Sequence, residues 1–127
     1  MLRIGVMVSG GGTNLQAILD NINNGTLSGC QVVTVVSSKP DAFALERAKI
    51  NNIPSKVISR KDFNSIEEYD DALLTHMQSC GAELVVLAGF LSHLGEKFVN
   101  AYKNAIINVH PSLIPSFCGK GYYGLIP

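Results

Sequence analysis

Two polar residues near the carboxyl end of the chain, Asn108 and His110, have types and spacing suited to proton-transfer chemistry. Residues 105–109 are mainly apolar and predict a strand. Asn108 lies near the end of this strand and His110 directly follows it. Because the two residues are two positions apart, their side chains point to the same face. Pro111 restricts His110 to extended backbone geometry. An amide can donate a hydrogen bond to a developing oxyanion while an imidazole moves a proton. Since no Ser or Cys stands as an obvious nucleophile, the pattern favours direct group transfer, with a purely structural histidine as the alternative.

A glycine-rich segment, residues 9–14 (Ser-Gly-Gly-Gly-Thr-Asn), lies between the first predicted strand and the first predicted helix. Glycines let a ligand approach the backbone closely, and the free N–H groups and dipole of a helix start favour an anion. No Lys follows the glycines, and the third glycine of a GxGxxG motif would fall at Leu15, so ATP and dinucleotide loops are disfavoured. The segment predicts a phosphate monoester site. The alternative is a tight turn in which Thr13 or Asn14 caps the helix.

Two other histidines are interpreted as structural. His76 stands beside Met77 near the apolar face of a predicted helix, and His93 stands in a predicted loop. The three cysteines are far apart and lack CxxC spacing, which argues against a zinc site. We expect no metal.

Short apolar runs alternate with segments of helical spacing along the chain. The runs are rich in Val and Ile on both faces, which is typical of strands in a parallel sheet covered on both sides. We therefore predict an α/β fold with a doubly wound, mostly parallel sheet, whose ligands bind at the carboxyl ends of the strands. The predicted strands are 2–8, 31–37, 54–59, 83–88 and 105–109, and the predicted helices are 14–23, 41–51, 66–80 (capped by Ser65) and 95–103.

Charge and composition exclude several classes of partner. The 127 residues include 10 basic and 10 acidic side chains, so the formal net charge is zero. A nucleic-acid groove binder would need a basic excess, and the longest apolar stretch is far shorter than a membrane helix. The N-terminal segment does not resemble a signal peptide. We expect a cytoplasmic protein with one core and a small polar ligand, without nucleic acid or membrane partners.

Three segments resemble the phosphoribosylglycinamide formyltransferase family. They are residues 9–18 (Ser-Gly-Gly-Gly-Thr-Asn-Leu-Gln-Ala-Ile), 87–91 (Leu-Ala-Gly-Phe-Leu) and 107–115 (Ile-Asn-Val-His-Pro-Ser-Leu-Ile-Pro). The Asn-x-His-Pro-Ser pattern is shared by the wider formyltransferase family, whereas the glycine loop followed by Asn-Leu-Gln-Ala is more particular. The resemblance implies a formyltransferase Rossmann-like fold. It also implies that residues 1–127 form one catalytic domain that is truncated, with its C-terminal part missing.

The same resemblance implies a reaction. It is the transfer of a formyl group from the co-substrate 10-formyltetrahydrofolate to the amine of 5-phosphoribosylglycinamide, in de novo purine biosynthesis. By resemblance Asn108 binds the formyl oxygen and His110 donates a proton. Three residues, Gly12, Thr13 and Asn14, are implied to hold the substrate phosphate. The folate pocket is implied at Leu91, Ser92, His93, Leu94 and Asn108.

The sequence departs from the family pattern at several positions. Many members carry Arg where this chain has Ile66 and Ser92, and we expect Lys61 to replace the first of these in folate binding. The resemblance also implies a later aspartate that pairs with the catalytic histidine and raises its pKa. No residue after His110 is acidic in this chain.

Other functions fit the same residues. The chain could be a non-catalytic phosphate-binding fragment. Two other functions within the superfamily are less favoured. One is that of formyltetrahydrofolate hydrolase, and the other is that of another folate-dependent formyltransferase, the enzyme that acts on methionyl-tRNA. The hydrolase has a sister domain that is preceded by a regulatory domain, whereas the first predicted strand of this chain begins at residue 2. The enzyme that acts on methionyl-tRNA should require a basic surface for tRNA, which this neutral chain lacks. The unpaired sheet edge that truncation leaves favours association, and a homodimer is one form it could take.

Overall fold

The computed structural model describes residues 1–92 and 94–109. Two predicted site residues, His93 and His110, lie outside this range, as does the rest of the segment 110–127. The described residues alternate strand and helix in the predicted order. The strands are β1 (Leu2–Val8), β2 (Cys30–Ser37), β3 (Ser55–Val57), β4 (Leu84–Leu87) and β5 (Ile106–Asn108), and the helices are α1 (Thr13–Asn23), α2 (Ala44–Ile50), α3 (Ile66–Ser79) and α4 (Glu96–Ala101), with a short 3-10 turn at Arg60–Asp62.

All five strands pair in parallel, in the order β3-β2-β1-β4-β5. The chain first builds outward from β1 to β3 and then returns to place β4 on the other side of β1. Ligands in such sheets bind at this reversal, outside the carboxyl ends of the central strands. The edge strand β3 has only three residues, all of them exposed.

Helices cover both faces of the sheet, so the predicted doubly wound α/β class is confirmed. On one face α1 and α2 pack on the sheet through buried Leu15, Ile18 and Ala48. On the other face α3 and α4 pack through buried Leu73 and Phe98. The central strands are buried on both sides because they carry apolar side chains in both directions. Among the described residues, no helix combines the length and apolarity that crossing a bilayer requires.

Element ends agree with the predicted signals, with two corrections. Ser65 caps α3 as predicted, since its hydroxyl accepts a hydrogen bond from the Glu68 N–H at 3.1 Å. The predicted start of α2 at residue 41 is wrong, because residues 41–43 are not helical and the helix begins at Ala44. The proposed cap of α1 by Thr13 or Asn14 is also wrong. Its N-cap is Gly12, and no side chain caps the helix there.

Candidate functional site

Parallel pairing brings the predicted site segments to one edge of the sheet. Met7 of β1 lies opposite Leu87 of β4, which lies opposite Asn108 of β5. The glycine loop leaves β1 two residues after Met7, and the segment 88–95 leaves β4 directly after Leu87. Asn108 is exposed at the end of its strand. The glycine loop, the described part of segment 88–95 and Asn108 therefore lie at the carboxyl ends of neighbouring strands, where sheets of this kind have their ligand-binding crevice.

The last glycine of the loop is required by the protein's own packing. Gly12 has a φ of +79°, which side-chain-bearing residues rarely adopt. A Cβ on Gly12 would lie 2.6 Å from the Cβ of Ala44 at the start of α2. From the same helix, Arg47 donates a hydrogen bond through Nε to the Gly11 carbonyl at 2.8 Å and one through its terminal nitrogen to Gln16 Oε1 at 3.2 Å. Helix α2 thus supports the loop from one side.

The first two glycines have no such structural requirement. A Cβ at Gly10 or Gly11 would meet nothing within 4 Å, and neither residue has a positive φ. Both are exposed. A loop that only made a tight turn would not need glycine at these two positions. Their openness lets a ligand approach the backbone, which favours the anion-site interpretation over the tight-turn alternative.

The start of α1 offers backbone donors beside this open loop. The first intrahelical bond runs from the Gln16 N–H to the Gly12 carbonyl, at 2.8 Å. The N–H groups of the preceding residues have no acceptor within the helix, and Gly12 has no side chain to cap them. Thr13 is exposed and Asn14 half-buried at this position. The arrangement suits a phosphate group.

Segment 88–95 is held from α3 by two side chains that the sequence analysis did not single out. The Asp70 carboxylate is buried and accepts hydrogen bonds from the N–H groups of Gly95 and Phe98, at 2.7 and 2.9 Å. The Tyr69 hydroxyl donates to Ser92 Oγ at 2.8 Å. Burial raises the pKa of Tyr69, so this hydroxyl keeps its proton at neutral pH. Among the predicted folate residues of this segment that the structure describes, Ser92 and Leu94 are half-buried and Leu91 is exposed.

A cavity of about 310 Å³ adjoins the same segment at the carboxyl ends of β2 and β3. Three basic residues line it, Lys39, Arg60 and Lys61, and no acidic side chain is among its described lining residues. Leu91, with 82% of its surface exposed, forms its wall together with Ser92. The cavity is suited to a ligand with an apolar body and an anionic end.

Ile66 and Ser92, the two positions at which the resemblance leads us to expect Arg, line different cavities in the structure. Ser92 lines the basic cavity with Lys61, whereas Ile66 lines a different cavity of about 650 Å³ between α3 and α4. That larger cavity is mainly acidic and contains an exposed ion pair between Lys97 and Asp71, at 2.8 Å. Lys61 therefore lines the same cavity as Ser92 and does not line the cavity of Ile66, whose mainly acidic lining disfavours an anion.

His76 has a structural hydrogen bond, as the sequence analysis interpreted it. Its Nε2 lies 2.9 Å from the hydroxyl of Thr34, a fully buried residue of β2. Burial and the charge of Lys56 lower the pKa of His76, so it is neutral at pH 7. Within residues 1–92 and 94–109, no three His, Cys, Asp or Glu side chains converge as metal ligands would.

Comparison with known proteins places these features in a family. A family model described as Formyl transferase matches residues 2–124. The phosphoribosylglycinamide formyltransferase of Haemophilus influenzae is 42% identical over 123 residues, covering 97% of this chain and 58% of that protein. The enzyme of the same name from Escherichia coli is 40% identical over 118 residues, covering 93% of this chain and 55% of that protein.

Solved structures agree with this result. The crystal structure of glycinamide ribonucleotide transformylase 1 from Geobacillus kaustophilus superposes with a TM-score of 0.82 at 38% identity, covering 94% of this chain and 63% of that one. The chain spans little more than half the length of the curated bacterial relatives it matches. Because the family model covers nearly all of its residues and the fold is the same, the chain belongs to the formyl transferase family.

Proposed function

We propose that the chain carries out, or contributes its part to, formyl transfer from 10-formyltetrahydrofolate to the amine of 5-phosphoribosylglycinamide. The observation that carries this proposal is the convergence of an open glycine loop and Asn108 at one sheet edge, in a chain of the formyl transferase family. The relatives named above are phosphoribosylglycinamide formyltransferases, and the proposed reaction is a step of de novo purine biosynthesis. Both substrates are small and water-soluble, which fits a cytoplasmic location and a neutral chain.

The two substrates would occupy different parts of the crevice. Gly12, Thr13 and Asn14 would hold the ribose phosphate, because free helix N–H groups and open glycine backbone lie together there. The folate would lie along Leu91, Ser92, His93 and Leu94 and against Asn108. Its glutamate carboxylates would be bound in the basic cavity by Lys39, Arg60 and Lys61, which is a common arrangement for recognising an anionic tail.

The reaction requires no covalent bond to the protein. The substrate amine attacks the formyl carbon, and the carbonyl oxygen becomes an oxyanion that the Asn108 amide would stabilise by donating a hydrogen bond. The bond between this carbon and the folate nitrogen then breaks. His110 would supply the proton that the departing nitrogen takes up, and the attacking nitrogen would release one proton to water. The products are the formylated amine and tetrahydrofolate. No metal takes part in this scheme.

Two measurements on the wild-type chain test the proposal. Titration calorimetry with 5-phosphoribosylglycinamide should show binding that Asn14→Ala weakens and that the control Asn23→Ala, at the exposed far end of α1, does not. An assay with both substrates should show formation of the formylated product. Absence of binding and of transfer would contradict the proposed function. Binding without transfer would identify the chain as a phosphate-binding module, the second candidate, which the open backbone at Gly10 and Gly11 also fits.

A further inference from the structure

Ser9, which directly follows β1, is the meeting point of three loops at the carboxyl edge of the sheet. Only 3% of its surface is exposed. Its hydroxyl oxygen accepts a hydrogen bond from the Leu91 N–H at 2.8 Å, across 82 positions of sequence. The same oxygen lies 2.6 Å from the hydroxyl oxygen of Ser38, and one of the two hydroxyls donates to the other. Ser9 therefore bonds to the loop after β4 and to the loop after β2.

These contacts continue from β2 to its outer neighbour, the edge strand β3. The Ser38 carbonyl accepts a hydrogen bond from the hydroxyl of Ser59, just after β3, at 2.8 Å. The Ser38 N–H donates to the Val8 carbonyl at 3.0 Å. Three serine side chains thus join the carboxyl ends of β3, β2, β1 and β4, four neighbouring strands of the sheet. We call Ser9, Ser38 and Ser59 the serine chain.

The serine chain connects two regions to which the proposed function assigns different substrates. Gly10 follows Ser9 immediately and begins the open glycine loop. At the other end, Leu91 and Ser92 are walls of the basic cavity, and Ser38 and Ser59 line the same cavity. A shift of either loop would stretch the 2.6 Å and 2.8 Å bonds at Ser9, so fixing one loop restricts the other.

We propose that Ser9, whose hydroxyl is also bonded to Ser38, is a positioning residue that couples the glycine loop to the loop after β4 at Leu91, so that occupation of either site strengthens binding at the other. This inference rests on the proposed function, since it assigns an anionic ribosyl phosphate to the first site and a formylfolate to the second. The coupling is reciprocal, because each ligand must raise the affinity of the other by the same factor. Neither serine touches the reacting atoms in this scheme.

The coupling can be measured without turnover. Ribose 5-phosphate carries the phosphate but has no amine to accept a formyl group, so it can be present together with 10-formyltetrahydrofolate. For the wild-type chain we expect saturating ribose 5-phosphate to lower the Kd of 10-formyltetrahydrofolate about fivefold or more, a usual size for coupling between sites. Ser9→Ala, which removes the bond to Leu91, should bring this ratio close to one, and Ser38→Ala, which removes the second bond of the Ser9 hydroxyl, should lower it. Ser38→Thr keeps a hydroxyl at a half-buried position and should restore it.

A remote serine serves as the matched control. Ser79 donates its hydroxyl to the His76 carbonyl at the far end of α3, and Ser79→Ala should leave the ratio at its wild-type value. If the wild-type chain binds both ligands and the ratio is unchanged in Ser9→Ala and Ser38→Ala, the coupling role is overturned and the proposed function stands. If the wild-type chain binds neither ligand, the proposed function is overturned and this inference with it. A loss of stability alone would not change a ratio of two Kd values for folded protein.

Discussion

The carboxylate of Asp70 on α3 accepts the N–H of Gly95 at 2.7 Å, and so fixes the point at which segment 88–95 enters α4. Its second oxygen accepts the Phe98 N–H at 2.9 Å, which places a negative charge at the positive end of that helix. A Cβ on Gly95 would lie 2.6 Å from the Asp70 carboxyl carbon, so the glycine permits this close approach.

Replacing Asp70 should therefore destabilise the protein. Asp70→Ala leaves two buried N–H groups without an acceptor, and we expect it to lower the free energy of unfolding by about 2–4 kcal/mol. Urea unfolding measures the change. Asp71→Ala, at the neighbouring position with an exposed ion pair, should cost no more than about 1 kcal/mol. Equal effects of the two substitutions would contradict the role assigned to Asp70.

The glycines of the chain form a graded series of alanine substitutions. Gly12→Ala combines a positive φ with a clash against Ala44 and should cost more than about 2 kcal/mol. Gly25→Ala has a positive φ but open space, so only the backbone strain of about 1–2 kcal/mol remains. Gly10→Ala has neither and should leave thermal stability nearly unchanged. Gly10→Ala should instead weaken phosphate binding, and an unchanged affinity there would contradict ligand approach at Gly10.

The basic cavity should recognise the glutamate portion of the folate. Lys61→Ala and Arg60→Ala are expected to weaken binding of 10-formyltetrahydrofolate several-fold each, since exposed charge pairs contribute about 0.2–1 kcal/mol. A formylated pteroate, which lacks the glutamate, serves as the control ligand. Its affinity should be the same for the wild-type chain and for both variants. Lys49→Ala, on α2 and outside the cavity, is the control protein. Added salt should reduce the difference in folate affinity between the wild-type chain and the Lys61→Ala and Arg60→Ala variants. Unaltered folate affinity in Lys61→Ala would exclude Lys61 from the site.

Asn108 should act on the rate constant rather than on binding. If its amide donates to the oxyanion only as charge develops, Asn108→Ala should lower kcat by about 100- to 1000-fold with a smaller change in KM. Asn108→Asp keeps the shape but loses the donor and should be as slow. Steady-state kinetics of formyl transfer provide the measurement. A rise in KM at constant kcat would show that Asn108 binds substrate without stabilising the transition state.

His76 predicts a pH dependence of stability. Its pKa in the folded protein lies below the ordinary value of 6.5, so the unfolded chain binds its proton more readily. The contribution of neutral His76 to the free energy of unfolding is complete above pH 6.5. It decreases as the pH falls from 6.5 toward the pKa of His76 in the folded protein. His76→Gln keeps a side chain that can bond Thr34 but does not titrate, and should flatten the stability profile in this interval. Urea unfolding at several pH values measures the difference. An unchanged profile would mean that His76 does not titrate differently on folding.

The strands and helices were predictable because their signals are local. The Val-rich run of β2 indicated a strand buried on both faces, and Ser65 marked the start of α3, where its hydroxyl accepts the Glu68 N–H. Asp70 carried an overlooked signal. It lies within the apolar stripe of α3 that includes Leu73 and Met77, and an acid on such a face requires a buried partner.

The serine chain and the support of the glycine loop by Arg47 left no such signal. Ser9 and Ser38 are 29 positions apart, and they meet only because β1 and β2 pair in a particular register. Arg47 lies on a half-exposed helical position whose pattern resembles an ordinary solvated face. Contacts of this kind depend on strand order and on how helices pack, which short-range spacing does not determine.

The short edge strand β3 also affects how the protein meets other chains. An exposed sheet edge is a template on which a further strand can pair, and long apolar edges promote aggregation. Here the edge strand is three residues long and has the charged Lys56 at its centre, with Pro54 immediately before it. A strand from another chain could pair with only a few backbone groups of β3, and it would lie next to the charged Lys56. Self-association of this chain would therefore have to use a surface other than the β3 edge.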